Sequence, residues 1–106
     1  MSRRPSHLVQ ILLPKEAGTG QPIAKYWFDG FLKELTDEFG GVTSFLRAPG
    51  QGLWHSGSGT EKDSIAVVEV MVDRLEPAFW RSLRKRVERE LSQDEIVIRA
   101  QKITRL

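Results

Sequence analysis

The sequence contains no cysteine, and this absence excludes several kinds of chemistry. A chain without thiols forms no disulfide, no thiolate metal site and no cysteine nucleophile. The two histidines lack the spacing of metal ligands, so we expect no metal and no other cofactor. No apolar run reaches the about 18 residues of a membrane-spanning helix, and no long apolar segment follows the basic first residues as it would in a signal peptide. We therefore expect a cytoplasmic protein that does not enter a membrane.

A strong excess of one charge is also lacking, since 16 Lys and Arg residues face 14 Asp and Glu residues. A net charge of +2 does not by itself indicate nucleic-acid binding. The length of 106 residues fits one domain with a core of its own. We expect residues 1–6 to form a flexible basic tail and residues 7–106 to form that single domain.

What the sequence does contain is an alternation of strand and helix patterns. Prolines at 22 and 77 are placed to open two amphipathic helices, and the glycines at 40 and 41 are placed to end the first. The predicted order is strand 7–13, helix from 22, strand 42–47, strand 64–72, helix from 77, and strand 95–102. This order predicts an α+β protein with a ferredoxin-like βαββαβ topology. Its four-stranded antiparallel sheet would carry both helices on one face.

The predicted strand 64–72 is unusual because both of its faces are apolar. Glu69 is the one charged residue on the face formed by odd-numbered positions. A strand that is covered by helices on one side and by water on the other should alternate between apolar and polar residues. We therefore expect a second copy of the chain to cover the helix-free face, since most soluble oligomers are two-fold dimers. The predicted interface residues are Leu8, Leu12, Ile65, Val67, Met71 and Val97.

Three polar residues fall on the same predicted face, namely Gln10, Glu69 and Arg99. A ferredoxin-like topology would bring them near one another. In one interpretation they satisfy each other at the seam between two copies. In the other they line a ligand cleft in which Arg99 binds an acidic group. Both interpretations follow from the same rule, that a buried charge needs a partner.

A second candidate region spans residues 39–55, which are rich in glycine and include Arg47, Trp54 and His55. An enzyme would use His55 and Glu69 to carry protons. The same enzyme would bind a small acidic or aromatic molecule through Arg47, Trp54, Arg99 and Gln10. The alternative interpretation is a helix cap followed by a bulged strand. A phosphate-binding loop is disfavoured because a strand, and not a helix, follows the glycines.

Basic residues on the second predicted helix provide a third candidate site. They are Arg81, Arg84, Lys85, Arg86 and Arg89. Two glutamates, Glu88 and Glu90, stand four residues after Arg84 and Arg86 and can pair with them. The strands also lack the aromatic pair on which nucleic-acid bases stack. We therefore interpret this helix as a solvated face and do not expect nucleic acid as a partner.

The segments ELTDEFGGVT at 34–43, Pro49 and GLW at 52–54 resemble a group of small bacterial proteins of unknown function. The resemblance continues through VEVMV at 68–72 and EIVIRA at 95–100, and it implies no particular activity. The strand and helix order also resembles dimeric α+β barrel proteins, which include cofactor-independent monooxygenases and small-ligand-binding domains. We predict a homodimeric interaction or small-ligand-binding module. A cofactor-independent enzyme and a nucleic-acid binder are the alternatives.

Overall fold

The computed structural model describes residues 6–47 and 65–106. The elements within these ranges are β1 (His7–Pro14), α1 (Lys25–Phe39), β2 (Thr43–Arg47), β3 (Ile65–Val72), α2 (Pro77–Glu90) and β4 (Val97–Lys102). Neighbouring strands are antiparallel, and their order across the sheet is β2-β3-β1-β4. The predicted α+β class is therefore confirmed. No helix in the described ranges is both long enough and apolar enough to cross a membrane.

Both helices pack on the same face of the sheet, and the core lies between them and the strands. The sheet contributes alternate residues of β1 and β3, as expected for strands that bury one face. The residues with the least exposure in this core are Val9, Ile11, Leu13, Leu35, Val68, Val70 and Val87. Stacking of Phe39 on Trp80, with ring centroids 5.2 Å apart, joins the end of α1 to the start of α2.

Helix α1 ends where the sequence predicts but begins later. Gly40 has a φ of 87°, and its N–H donates to the Thr36 carbonyl at 2.7 Å, which is a left-handed helix end. The prediction that Pro22 opens the helix is wrong. Pro22 pairs with Glu16 in an isolated antiparallel bridge, and Ile23 donates its N–H to the carbonyl of Lys15 at 3.0 Å. The chain therefore folds back on itself before the helix starts at Lys25.

The loop between β1 and α1 is fixed against the end of α2. The Gly18 N–H donates to the Leu91 carbonyl at 3.0 Å, and the Gln93 amide donates to the Glu16 carbonyl at 3.0 Å. A Cβ atom on Gly18 would lie 1.6 Å from the Ser92 carbonyl oxygen. By contrast, Gly30 inside α1 has open space around the place its Cβ would occupy, since no other segment comes within 4 Å of it.

Ser6 is the one residue of the predicted tail that the structure describes, and it is hydrogen bonded to the sheet. Its N–H donates to the Val72 carbonyl at 2.9 Å, and its carbonyl accepts from the Ile103 N–H at 3.0 Å. Its hydroxyl donates to the Asp73 carbonyl at 2.6 Å. Ser6 therefore continues the hydrogen bonding of β1 to β3 and to the segment after β4 by one residue. The other tail residues lie outside the described ranges.

Candidate binding surface on the helix-free face

The strand register places three polar residues side by side across the helix-free face. Gln10 in β1 lies opposite Glu69 in β3 on one side and opposite Arg99 in β4 on the other. We call these three residues the polar row. Gln10 and Glu69 face away from the helices because the residues before and after each of them enter the core. Arg99 shares their face because it lies directly opposite Gln10 in the register of β1 and β4.

Hydrogen bonds join the members of the polar row. The Gln10 amide nitrogen Nε2 donates to Glu69 Oε2 at 2.7 Å. The Arg99 Nε–H donates to Gln10 Oε1 at 2.8 Å. Glu69 therefore meets the donor end of the amide, and Arg99 meets its acceptor end. The structure brings together the three polar residues that the sequence analysis placed on this face.

Both ends of the polar row keep binding capacity. Glu69 is half-buried and Arg99 is exposed. The hydrogen bonds of the row use one carboxylate oxygen of Glu69 and the Nε–H of Arg99, so the second oxygen of Glu69 and the two terminal nitrogens of Arg99 take no part in them. A carboxylate can accept about four hydrogen bonds and a guanidinium can donate five. The row therefore presents a negative end and a positive end, each able to bind a group of opposite charge.

Apolar residues lie on both sides of the polar row. The register aligns Leu8 with Met71 on one side, and it aligns Leu12 with Val67 and Val97 on the other. Met71 and Val97 are 47% and 44% exposed, which is high for large apolar side chains, while Leu8 and Leu12 are half-buried. On the β4 side Leu8 lies opposite the polar residue Gln101, so the apolar residues are Leu8 and Met71 on one side of the polar row and Leu12, Val67 and Val97 on the other. We call these two sets the apolar stripes.

One predicted interface residue has to be reassigned. Val67 lies on the helix-free face, as predicted, but it is only 2% exposed within a single chain. It cannot offer a partner appreciable apolar area. Ile65, at the start of β3, is half-buried and keeps part of its surface. The apolar area available for association is therefore smaller than the sequence pattern indicated, and it is concentrated at Met71 and Val97.

The predicted catalytic partner of Glu69 is His55, and the predicted ligand-binding residues include Arg47 and Trp54. Trp54 and His55 lie outside the described residues. Arg47 lies in β2, where its backbone pairs with that of Ile65. In the described ranges, no cluster of three or more His, Cys, Asp or Glu residues could hold a metal ion. The polar row is the part of the predicted site that the structure positions.

The basic face of α2 is partly neutralised by the ion pairs that the sequence predicted. Arg84 binds Glu88 at 2.9 Å, and Arg86 binds Glu90 at 3.2 Å. Arg86 also donates to Glu34 on α1, and this hydrogen bond is the main cause that raises the pKa of Arg86. Arg81, Lys85 and Arg89 remain exposed. The helix therefore presents three free cations in the described structure instead of five.

The sequence analysis did not identify two shallow grooves on the helical side. One has a volume of about 250 Å³ and lies between α1 and α2, where Tyr26, Gly30 and Arg86 form part of its wall. The other, of about 320 Å³, lies between the start of α2 and β4. Only the packing of helix on helix and helix on strand creates these grooves, so no local sequence signal could have indicated them.

No family model matches the sequence, and no curated protein matches it.

Proposed function

We propose that this chain is a ferredoxin-like interaction module that forms a homodimer through the helix-free face of its sheet. The single observation that carries the proposal is the hydrogen-bonded polar row, set between apolar stripes that include the exposed Met71 and Val97. Exposed apolar side chains beside charged groups on an uncovered sheet face are typical of an interaction site. A cytoplasmic location and kinship with small bacterial proteins are part of this proposal.

The strand order and the placement of the helices support the ferredoxin-like assignment. β1 and β3 lie side by side in the middle of the sheet, with β2 and β4 outside them. The helices cover one face only, because the core residues of α1 and α2 meet the same face of the sheet. A sheet of this kind leaves its second face to water or to a partner.

The size of the face limits the area that a dimer can bury. Four strands spaced by about 4.8 Å, with up to eight residues rising about 3.3 Å each, span a projected area of about 19 by 26 Å. This is a small face compared with typical stable interfaces, in which each partner buries about 800 Å² of accessible surface. We therefore expect a reversible dimer.

Sedimentation velocity of the full chain, from about 1 μM to about 500 μM, tests the proposal. The weight-average mass should rise from one chain to two over this range. Met71→Lys should weaken the dimer at least about tenfold, because it places a cation in an apolar stripe. Tyr26→Lys is the matched control, since Tyr26 is 80% exposed but lies on α1.

The two variants must differ for the proposal to stand. A wild-type chain that remains monomeric at the highest concentration would overturn it. So would a dimer that Tyr26→Lys weakens and Met71→Lys leaves intact, because the interface would then lie on the helical side.

A further inference from the structure

The polar row has a direction, with a carboxylate on β3, a guanidinium on β4 and Gln10 between them. We infer that two copies pair about a two-fold axis that runs parallel to β1 at Gln10. Each Glu69 then binds Arg99 of the second copy, and the dimer contains two equivalent ion pairs. This inference rests on the proposed homodimer and fixes its geometry.

The opposite charges at the two ends of the polar row restrict which molecule can cover the helix-free face. An occupant of this face removes water from Glu69 and Arg99, and a buried charge is costly unless it gains a partner. The occupant must therefore place a cation over Glu69 and an anion over Arg99. These positions are two strand spacings, or about 10 Å, apart. A second copy of the chain carries both groups at this same separation.

Only one orientation of the two-fold axis brings opposite charges together. An axis perpendicular to the sheet would join the edges of two sheets and leave their faces open. An axis along the polar row would place Glu69 over Glu69 and Arg99 over Arg99, so that like charges meet. An axis parallel to the strands exchanges the two ends of the row, and Glu69 then faces Arg99 in both halves of the dimer. Opposite charges across an interface select this arrangement over the others.

The same axis also keeps the apolar stripes together. A rotation about the direction of β1 does not move a residue to a different level along that strand. Leu8 therefore faces Leu8 of the second copy, and Leu12 faces Leu12. Sheets that pack face to face keep their strand directions within about 30° of each other, which this arrangement allows. Met71 then lies over Gln101 of the second copy, and Val97 lies over Val67. Rotation about the polar row would also bring the apolar stripes together, so the apolar residues permit this geometry and the charge pairing selects it.

Two charge reversals, each tested alone and then mixed, test the geometry. In the homodimer of Glu69→Arg, each new arginine would face Arg99. In the homodimer of Arg99→Glu, each new glutamate would face Glu69. Each variant alone should therefore dimerise at least about tenfold more weakly than the wild type.

An equimolar mixture of the two variants should form a heterodimer, because both contacts then join an arginine to a glutamate. Sedimentation of the mixture, with one variant fluorescently labelled, measures this recovery.

Controls separate this inference from the proposed function. Glu38→Arg and Arg81→Glu reverse the same charges at exposed positions on α1 and α2, and should leave the dimer unchanged. Glu69→Arg can be replaced as a test if circular dichroism shows that it does not fold. In that case the dimer affinities of Arg99→Glu and Arg81→Glu are compared, because both residues are exposed and only Arg99 lies in the polar row. A wild-type dimer whose reversal variants associate normally, or whose mixture forms no heterodimer, would overturn the inference and leave the proposed dimer standing. A monomeric wild type would overturn the proposed function itself.

Discussion

The Glu88 carboxylate accepts the backbone N–H of Ile96 at 2.9 Å, and this bond joins the last part of α2 to the residue before β4. Ile96 is itself buried, with 2% exposure, so the bond fixes the point where the chain enters the sheet. Arg84 binds the same carboxylate oxygen from one helical turn earlier. A side chain on the helix surface therefore positions the edge strand that carries Arg99.

This contact makes stability depend on pH in a defined direction. The Ile96 N–H lowers the pKa of Glu88 below its ordinary value of 4.5, Arg84 adds to the effect, and partial burial opposes it. A lowered pKa means that the carboxylate stabilises the fold fully above pH 4.5 and loses this contribution as the pH falls through the folded-state pKa. We expect Glu88→Gln to lower the melting temperature at about pH 7 and to have a smaller effect at about pH 3.

Melting curves of the wild type and Glu88→Gln across this range measure the difference. Glu38→Gln, at an exposed position on α1, is the control and should follow the wild type throughout. Two curves that stay parallel from neutral to acidic pH would contradict the role assigned to Glu88.

Two glycines, Gly30 inside α1 and Gly40 directly after it, should respond to the same substitution with opposite signs. Gly40 has a φ of 87°, where an alanine costs about 1–2 kcal/mol. Gly30 lies inside the helix with open space around its missing Cβ, so Gly30→Ala should stabilise by about 0.5–1 kcal/mol. Urea unfolding of both variants gives these free energies directly. Shifts of the same sign would show that one of the two backbone assignments is wrong.

Local sequence patterns predicted the parts of this fold that depend on local chemistry. The period of the apolar residues placed the strands and both helices, and Gly40 marked the end of α1 because only a glycine adopts its backbone angles without strain. The alternation of residues in β1 and β3 placed Gln10 and Glu69 on one face. Their hydrogen bond then followed from the register, which antiparallel pairing of the two strands creates.

Other features depended on contacts between distant segments, and the sequence could not reveal them. The burial of Val67 depends on what packs around it and not on its position in the strand. Pro22 carries a helix-start signal, but the pairing of residue 23 with Lys15 delays the helix. The bond between Glu34 and Arg86 joins residues on different helices, and only the i,i+4 pairs within α2 were visible in the spacing.

Gly18 should tolerate no larger side chain. Its absent Cβ would lie 1.6 Å from the Ser92 carbonyl oxygen, so an alanine forces the loop away from α2. The move would also break the hydrogen bond from Gly18 to Leu91. We expect Gly18→Ala to reduce the free energy of unfolding by about 1–3 kcal/mol. Gly41→Ala, at a position with free space, should have little effect in the same urea titration.

The ion pair between Glu34 and Arg86 should contribute a small, salt-dependent energy to the packing of α1 on α2. The two side chains are 49% and 33% exposed, and exposed pairs of this kind contribute about 0.2–1 kcal/mol. A double-mutant cycle with Glu34→Gln and Arg86→Met measures this coupling from the four unfolding free energies. The coupling should decrease when salt is raised from about 0.05 M to about 1 M, because salt screens exposed charges.

The pair of Lys33 and Asp37, which lies within α1 and is 75% and 66% exposed, should give a weaker coupling in a cycle of the same kind. A coupling at Glu34 and Arg86 that is no larger than this reference would mean that the ion pair adds nothing specific to the packing of α1 on α2. The apolar contacts and the hydrogen bond from Trp27 to Glu90 would then maintain that packing.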